Sequence, residues 1–438
     1  MPATDTIFKI LHMSDLHLGK SLRAQDLAED QAYVLGQIVR RAEELEPDLV
    51  IISGDVFDRS IPSEGAQTMF GRFMADLRRV LQGKARSTLR GQARSALSGQ
   101  ARSTPRDQAR ILVIPGNHDS PRRIAFAAEL FEAVGIHLVS DIRLAPALVL
   151  EKVGKRAAVW ALPFVTHGSY HEFRRNLPKD ASEDAPGDGS MAERMADIVA
   201  HLRPRFGEYD LNILAAHCYV RGAALSESDT AFIGGTEAVP ASLFDGFDYG
   251  ALGHLHRMQA LSPTMWYSGA PMPMSFGDEG GDKGFLYIEL GAAMVPKVEP
   301  VMLEPLHAFK RVCGRYAELT AASSTLGSDY VEVILTDENP VYDAFNGLAA
   351  RFPNLVSVRQ QAFERMATGA VFEALPDGER RFDAENRQAL GLSRSDARHA
   401  AALGDFASFA RCILEESPSE EMVKAFESLL SEAEQELA

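Results

Sequence analysis

Short apolar runs that end in polar clusters recur through the first two thirds of the chain. Ile7–Met13, Leu49–Ser53, Ile111–Ile114, Ala157–Leu162, Leu211–Ala216, Tyr249–Leu252 and Gly284–Leu290 read as buried strands by length and composition. Between the first two, Leu27–Glu46 is polar with apolar residues at helical spacing (Leu27, Tyr33, Val34, Ile38, Val39, Leu45), and Pro47 closes it. Strands alternating with helices predict an α/β fold of layered β-sheets flanked by helices. In such folds ligand sites gather beyond the strand ends, where the polar clusters of this chain fall.

The pattern changes after about residue 295. Tyr330–Leu335 alternates like a half-buried strand, Val341–Arg351 has helical spacing and Leu355–Arg359 reads as a strand, so 296–375 is expected to be a small α+β capping domain. Residues 376–404 are polar and charge-rich, as a linker would be. Phe406–Leu414 and Glu420–Leu430 then read as two amphipathic helices, with Ser417-Pro418-Ser419 supplying the turn and N-cap. The expected division is 1–295, 296–375 and 376–438. The terminal helical hairpin either packs on its own domain or docks on a partner.

Residues 83–110 break the strand–helix alternation with an eight-residue repeat, GKARSTLR, GQARSALS, GQARSTPR and the fragment DQAR. That period matches neither a helix nor a strand face, so the stretch is expected to be an exposed, mobile loop inserted between a helix ending near Leu81 and the strand at Ile111. It is either a tolerated surface insertion or a basic arm that attracts phosphate backbone. Seven basic residues against the single Asp107 leave it at +6 in a chain whose formal net charge is −16. The acidic total argues against a surface that coats nucleic acid by charge alone, although bound divalent metals would offset part of it.

The chain is 438 residues long, enough for two or three domains, and its 46% hydrophobic content suits a globular protein with a sizeable core. No apolar run reaches the roughly 18 residues needed to span a bilayer, and Asp5 and Lys9 interrupt any secretory segment. Three scattered cysteines (Cys218, Cys313 and Cys412) argue against a disulfide framework and for a reducing compartment, so a cytoplasmic protein with no membrane partner is expected.

Five clusters carry the candidate chemistry: Asp15-Leu16-His17, Gly54-Asp55-Val56-Phe57-Asp58, Gly116-Asn117-His118-Asp119, Ala216-His217 and Gly253-His254-Leu255-His256. Two-residue spacing at a strand end is expected to point Asp15 and His17 to one side, and His254 and His256 likewise. Asp55, after a buried strand and a tight glycine turn, is placed to sit between two cations, while Asn117 offers a neutral carbonyl oxygen. His118 beside it points elsewhere and is the candidate for proton transfer. Carboxylate and imidazole ligands together suit Mn, Fe or Zn better than Ca or Mg. Each cluster alone also fits a capped strand end, a turn or a core histidine. Five in order, each just after an apolar strand, point to a metal site. His12 is assigned to the interior of a strand, and His167 and His171 to a loop.

Those five clusters resemble the calcineurin-like metallophosphoesterase superfamily. LHMSDLHLGK at 11–20, GDVFDRSIP at 54–62, GNHDS at 116–120, DYGALGHLHR at 248–257 and YSGAPMPMSFG at 267–277 are similar to the SbcD branch, the nuclease subunits of bacterial SbcCD complexes. Residues 329–358, with Asp-Glu-Asn-Pro and Phe-Pro-Asn-Leu, resemble that branch's capping domain; the repeat at 83–110 is outside the pattern. The resemblance implies one metal held by Asp15, His17, Asp55 and His256, and a second held by Asp55, Asn117, His217 and His254, with Asp55 bridging. It implies two divalent ions, Mn²⁺ foremost, His118 as the catalytic histidine and Asp58 as a group that orients His118 or a ligand. Tyr267-Ser268-Gly269 is either close to the substrate or a structural turn. The implied activity is cleavage of DNA at duplex ends and in hairpins or single strands, in repair, recombination and replication. The implied partners are an SbcC-type SMC/ABC ATPase, bound through the hairpin at 406–430, and a second copy of the chain, met through helices near Gly65–Leu81 and Ile124–Val134. Two alternatives keep part of this reading: a phosphoesterase for another substrate class, and a subunit whose main task is to recruit the ATPase.

Overall fold

In a computed structural model the described residues are 7–23, 25–93, 109–178, 189–226, 229, 238–278, 281–291, 295–321, 326–363, 422 and 424–426. The chain divides into two compact units, Met1–Arg311 with Leu326–Glu332, and Val312–Thr325 with Val333–Ala438.

The first unit is built on two six-stranded sheets. In the first sheet Phe8–Met13, Leu49–Ser53, Arg110–Ile114 and Ile136–Leu138 run parallel in that order. Gly284–Leu290 and Lys297–Met302 extend it antiparallel from Phe8–Met13. In the second sheet Lys155–Leu162, Leu211–His217, Tyr249–Gly253 and Met265–Tyr267 run parallel, with Leu148–Lys152 and Gln259–Ala260 as antiparallel edges. The strands expected from apolar runs are all present. Those missed are short or edge strands such as Leu148–Lys152, whose residues alternate between buried and exposed and leave no continuous apolar signal.

Side-chain parity explains why the central strands read as continuously apolar. Ala157, Val159 and Ala161 pack with Ile10, Ile51, Leu112, Ile213 and Ala251 in a core between the sheets. Ala158, Trp160 and Leu162, pointing the other way, pack with Tyr170, Phe173, Met195 and Ile198 of the covering helices. Each strand is therefore buried on both faces. Two polar residues cross-link the sheets: Ser53 Oγ donates to the Ala251 carbonyl (3.0 Å), and His12 Nε2–H donates to that of Leu252 (3.1 Å).

Helix α1, Ala28–Leu45, ends at Glu46 in a left-handed conformation, just before Pro47. Helix α2, Glu64–Ala93, continues eleven residues into the repeat, which corrects the loop expected from residue 83. Seven of those eleven residues are Ala, Arg, Leu, Gln or Lys, good helix formers, and with no proline among them they outweigh Gly83 and Gly91. The rest of the repeat, to residue 108, lies outside the described residues. His167 and His171 belong to a helix, His167–Arg175, rather than a loop; Thr166 and Ser169 form a capping box at its start.

Phe309–Gly314, Tyr330–Leu335 and Leu355–Gln360 form a separate three-stranded sheet, and Ala344–Ala349 is the helix expected over 341–351. The linker at 376–404 lies outside the described residues, as does most of the hairpin at 406–430; Met422, Lys424, Ala425 and Phe426 are helical. Among the described residues no helix is long and apolar enough to cross a membrane.

Candidate metal centre

The two sheets meet the seven candidate ligands at one end. The first supplies Asp15 and His17 beyond Phe8–Met13, Asp55 beyond Leu49–Ser53 and Asn117 beyond Arg110–Ile114. The second supplies His217, the last residue of its strand, and His254 and His256 beyond Tyr249–Gly253. All lie at the carboxyl ends of parallel strands. Six are buried and Asn117 is partly so.

Strand alternation is not what brings Asp15 and His17 together. The strand stops at Met13, and Asp15 and His17 take φ values of 55° and 43°, as Asp55 (48°) and His254 (107°) also take positive φ. Four non-glycine residues in a sparsely populated region cost roughly 1–3 kcal/mol each and persist only where the surroundings hold them. Here they are held by a ladder of loop bonds. Asp15 N donates to the Gly54 carbonyl (3.0 Å), His17 N to that of Asp55 (3.0 Å) and Leu18 N to that of Val56 (2.9 Å), while His254 N donates to Asp15 Oδ1 (3.1 Å).

The donor atoms fall into two groups. Those of Asp15, His17 and His256 lie within 4.8 Å of one another, and so do those of Asp55, His217 and His254. Asn117 Oδ1 joins the second group, 3.0 Å from His217 Nε2 and 2.9 Å from His254 Nδ1. One oxygen stands between the groups: Asp55 Oδ2 is 3.8 Å from His17 Nε2 and 3.4 Å from His217 Nε2. Two glycines make this possible. A Cβ on Gly54, whose φ is +92°, would lie 2.2 Å from His217 Nδ1, and one on Gly116 would lie 2.2 Å from Asp55 Oδ1.

The donors fit divalent metals. His217 Nδ1 faces the Ser53 carbonyl at 2.8 Å, and a carbonyl only accepts, so Nδ1 carries the proton. In the neutral form of this ring the Nε2 lone pair converges with Asn117 Oδ1 (3.0 Å), Asp55 Oδ2 (3.4 Å) and His254 Nδ1 (3.3 Å), all of them acceptors or able to present a lone pair. Such a point suits a cation.

Burial and close packing divide the protonation states of these groups. Burial, and then Asp55, raise Asp15 to about 8. Burial opposes a charge on His217, but Asp55 outweighs it and raises that imidazole to about 9. Burial alone would lift Asp55 too, yet the neighbouring His217 holds its carboxyl well below the usual range. Burial and nearby imidazoles push His254 down to about 3, and burial with His17 pushes His256 well below its ordinary value. His254, His256 and Asp55 are thus held in the states that ligate a metal, neutral imidazoles and a carboxylate, whereas Asp15 and His217 hold protons at neutral pH that a bound cation would displace.

His118 stands beside the first group, its ring 4.9 Å from that of His17. Its Nδ1–H donates to the Asp58 carbonyl (3.0 Å), and its backbone N–H to Asp55 Oδ1 (2.9 Å). The Asp58 carboxylate lies 3.5 Å from His17 Nδ1 and accepts from Lys20 Nζ at 2.9 Å. Asp58 thus touches both the histidine and a ligand, through its main chain and its side chain respectively.

Several residues support the centre in roles that the sequence reading did not assign or left open. Asp119, buried, accepts three backbone N–H groups, from Val56 (3.0 Å), Phe57 (2.9 Å) and Gly116 (2.9 Å), and so clamps the Asp55 loop to the Asn117 loop. Its place directly after His118 was the available signal. Ser14 Oγ bonds Asp15 and lies 2.8 Å from Ser268 Oγ. The Tyr267 hydroxyl donates to the Cys218 carbonyl (2.7 Å) and accepts from Val220 N (2.9 Å). Tyr267 and Ser268 are wholly buried, so they support Asp15 and the His217 loop from within. Asp229 and Lys283 reach His256 from far along the chain, and no local motif marks them.

A model of the calcineurin-like phosphoesterase family matches residues 8–258. Among solved structures, TT1561 of Thermus thermophilus is 12% identical, with a TM-score of 0.34 over 67% of this chain and 99% of its own. A dimetal phosphatase of Danio rerio is 11% identical, with a TM-score of 0.35 over 68% of this chain and 99% of its own. Likenesses so distant add nothing to the family match. That match spans every candidate ligand, and this chain belongs to the calcineurin-like phosphoesterase family, hydrolases that use divalent metals to cleave phosphoesters.

Proposed function

We propose that this chain is a DNA nuclease of the SbcD type, hydrolysing phosphodiester bonds at duplex ends and in hairpin or single-stranded DNA together with an SbcC-type ATPase. The observation that carries the catalytic part is the convergence of Asp15, His17, Asp55, Asn117, His217, His254 and His256 on one buried point, with Asp55 Oδ2 between the two groups. The nuclease specificity is supported by the motifs GDVFDRSIP and YSGAPMPMSFG. A homodimer is supported by Phe126, Leu130 and Val134, exposed at 78%, 75% and 45% on the segment named for it.

Two divalent ions at this point, with Mn²⁺ the preferred pair, would acidify a water and neutralise charge growing on the phosphoryl oxygens. The chain's own residues do the rest. Asp55 sets the spacing of the two groups, and Asn117 contributes a neutral donor that leaves the net charge unchanged. His118, fixed at Nδ1 by the Asp58 carbonyl, presents Nε2 for proton exchange with the leaving oxygen. An acidic chain acts on DNA in this proposal because the ATPase supplies basic surface.

The test is cleavage of end-labelled hairpin and blunt duplex DNA with Mn²⁺, for the wild type and Asp55→Ala, with and without the ATPase. Cleavage that disappears in Asp55→Ala supports the proposal. If DNA stays intact under every condition while a small phosphodiester is hydrolysed, the substrate is of another class.

A further inference from the structure

His256 is held by groups from distant parts of the chain. Its N–H donates to Asp229 Oδ1 at 3.2 Å, and the same carboxylate oxygen lies 3.8 Å from its ring Nδ1. Its carbonyl accepts from Lys283 Nζ at 3.0 Å and from Ala270 N at 3.2 Å. Lys283, only 6% exposed, stands directly before the strand Gly284–Leu290 of the first sheet, whereas His256 follows a strand of the second. The lysine therefore spans from one sheet to the ligand loop of the other. Its ammonium lies 3.5 Å from Asp278 Oδ1, and Asp278 Oδ2 accepts from Met274 N (2.9 Å) and Ser275 N (3.2 Å), which locks the anchor in turn.

Burying an ammonium is expensive, so a lysine buried here needs a compensating role or strong partners. Asp278 and the His256 carbonyl are those partners, and both are themselves fixed. Among the described residues nothing equivalent reaches His254, whose N–H is held by Asp15 within the centre itself.

We propose that Lys283 is a positioning residue for the first metal group, setting the backbone of His256, with Asp229 as its counterpart on the N–H side. This rests on the reading of Asp15, His17 and His256 as metal ligands. Outer groups that orient a ligand change metal affinity by about 10–100-fold when removed. Loss of Lys283 should therefore weaken one of two metals and leave the other.

Titration of the metal-free full chain with Mn²⁺, by calorimetry and electron paramagnetic resonance, tests this in the wild type and Lys283→Met. The wild type is expected to bind two ions and give a spin-coupled pair; fewer than two would defeat the ligand reading itself. Lys283→Met is expected to keep one ion at wild-type affinity, bind the other at least about ten-fold more weakly, and give an isolated-ion spectrum at one equivalent. Two ions at unchanged affinity, or equal weakening of both in a folded variant, would overturn the proposal. If Lys283→Met does not fold, Asp229→Asn decides by the same two outcomes, since it approaches His256 from the opposite side.

Discussion

His217 donates its Nδ1 proton to the carbonyl of Ser53 across 2.8 Å, so a ligand carried by the second sheet takes its orientation from the last residue of a strand in the first. The candidate metal centre is thus set by the registration of the two sheets, and Ser53 Oγ reinforces it by bonding Ala251. Disturbing this join should act on the second group of ligands before it acts on the fold.

Gly54→Ala tests the join. The added methyl would fall 2.2 Å from His217 Nδ1, at a backbone φ of +92° that costs a residue with a Cβ about 1–2 kcal/mol. The variant is expected to fold with a lowered Tm, to lose the ion held by Asp55, Asn117, His217 and His254, and to lose phosphodiester hydrolysis. Two Mn²⁺ bound at wild-type affinity in calorimetry would contradict this account.

His118→Ala should separate chemistry from metal binding. The ring bonds the Asp58 carbonyl and lies beside His17 without entering the second group of ligands. Both ions should stay, and hydrolysis should fall by about 10²–10⁴-fold, the range for loss of a proton-transfer group. Loss of an ion in that variant would make His118 a ligand instead.

The strands were legible because buried strands announce themselves as apolar runs, and the seven candidate ligands, which the structure brings together, were singled out because they follow at the strand ends. What placed the ligands was less so. Strand alternation predicts that Asp15 and His17 point together, but it is the positive φ of both residues, held by bonds to Gly54 and Asp55, that achieves this. Helix α2 ran on through an eight-residue period because helix propensity needs no repeating face. Asp229 and Lys283 were invisible, since each lies 27 residues from His256 and carries no local signature.

Asp119 should matter to stability as well as function. Its carboxylate satisfies three backbone N–H groups of two loops, and removing it leaves buried donors unpaired. Asp119→Ala is expected to cost about 3 kcal/mol or more in urea unfolding of the metal-free protein, whereas Asp119→Asn, which keeps an acceptor oxygen, should cost less. Equal stability of the two variants would remove the clamp from the account.

Truncation after about residue 400 tests the proposed docking of the terminal hairpin. Binding to an SbcC-type ATPase should be abolished in pull-down assays, with both Mn²⁺ ions retained. An undiminished complex would assign the docking surface elsewhere.

Acid stability should carry the signature of His12, which is wholly buried between the sheets. Burial pushes its imidazole from the ordinary 6.5 down to about 3, only partly opposed by the bond to the Leu252 carbonyl. With Nε2–H donated to that carbonyl, Nδ1 is left to accept from the Tyr249 hydroxyl at 2.9 Å, and a second ring proton would break this bond. The folded pKa lies below the unfolded one, so on acidification the unfolded chain takes up the proton first. The contribution of His12 is therefore complete above about pH 6.5 and is lost as pH falls toward 3, at about 1.4 kcal/mol per pH unit. His12→Gln is expected to be less stable than the wild type near neutrality. It should also lose about 2 kcal/mol less than the wild type between about pH 6.5 and about pH 5 in urea unfolding with chelator present. Comparing the two chains cancels every other titrating group. Parallel stability curves would mean that His12 takes up its proton in the folded state as readily as in the unfolded one.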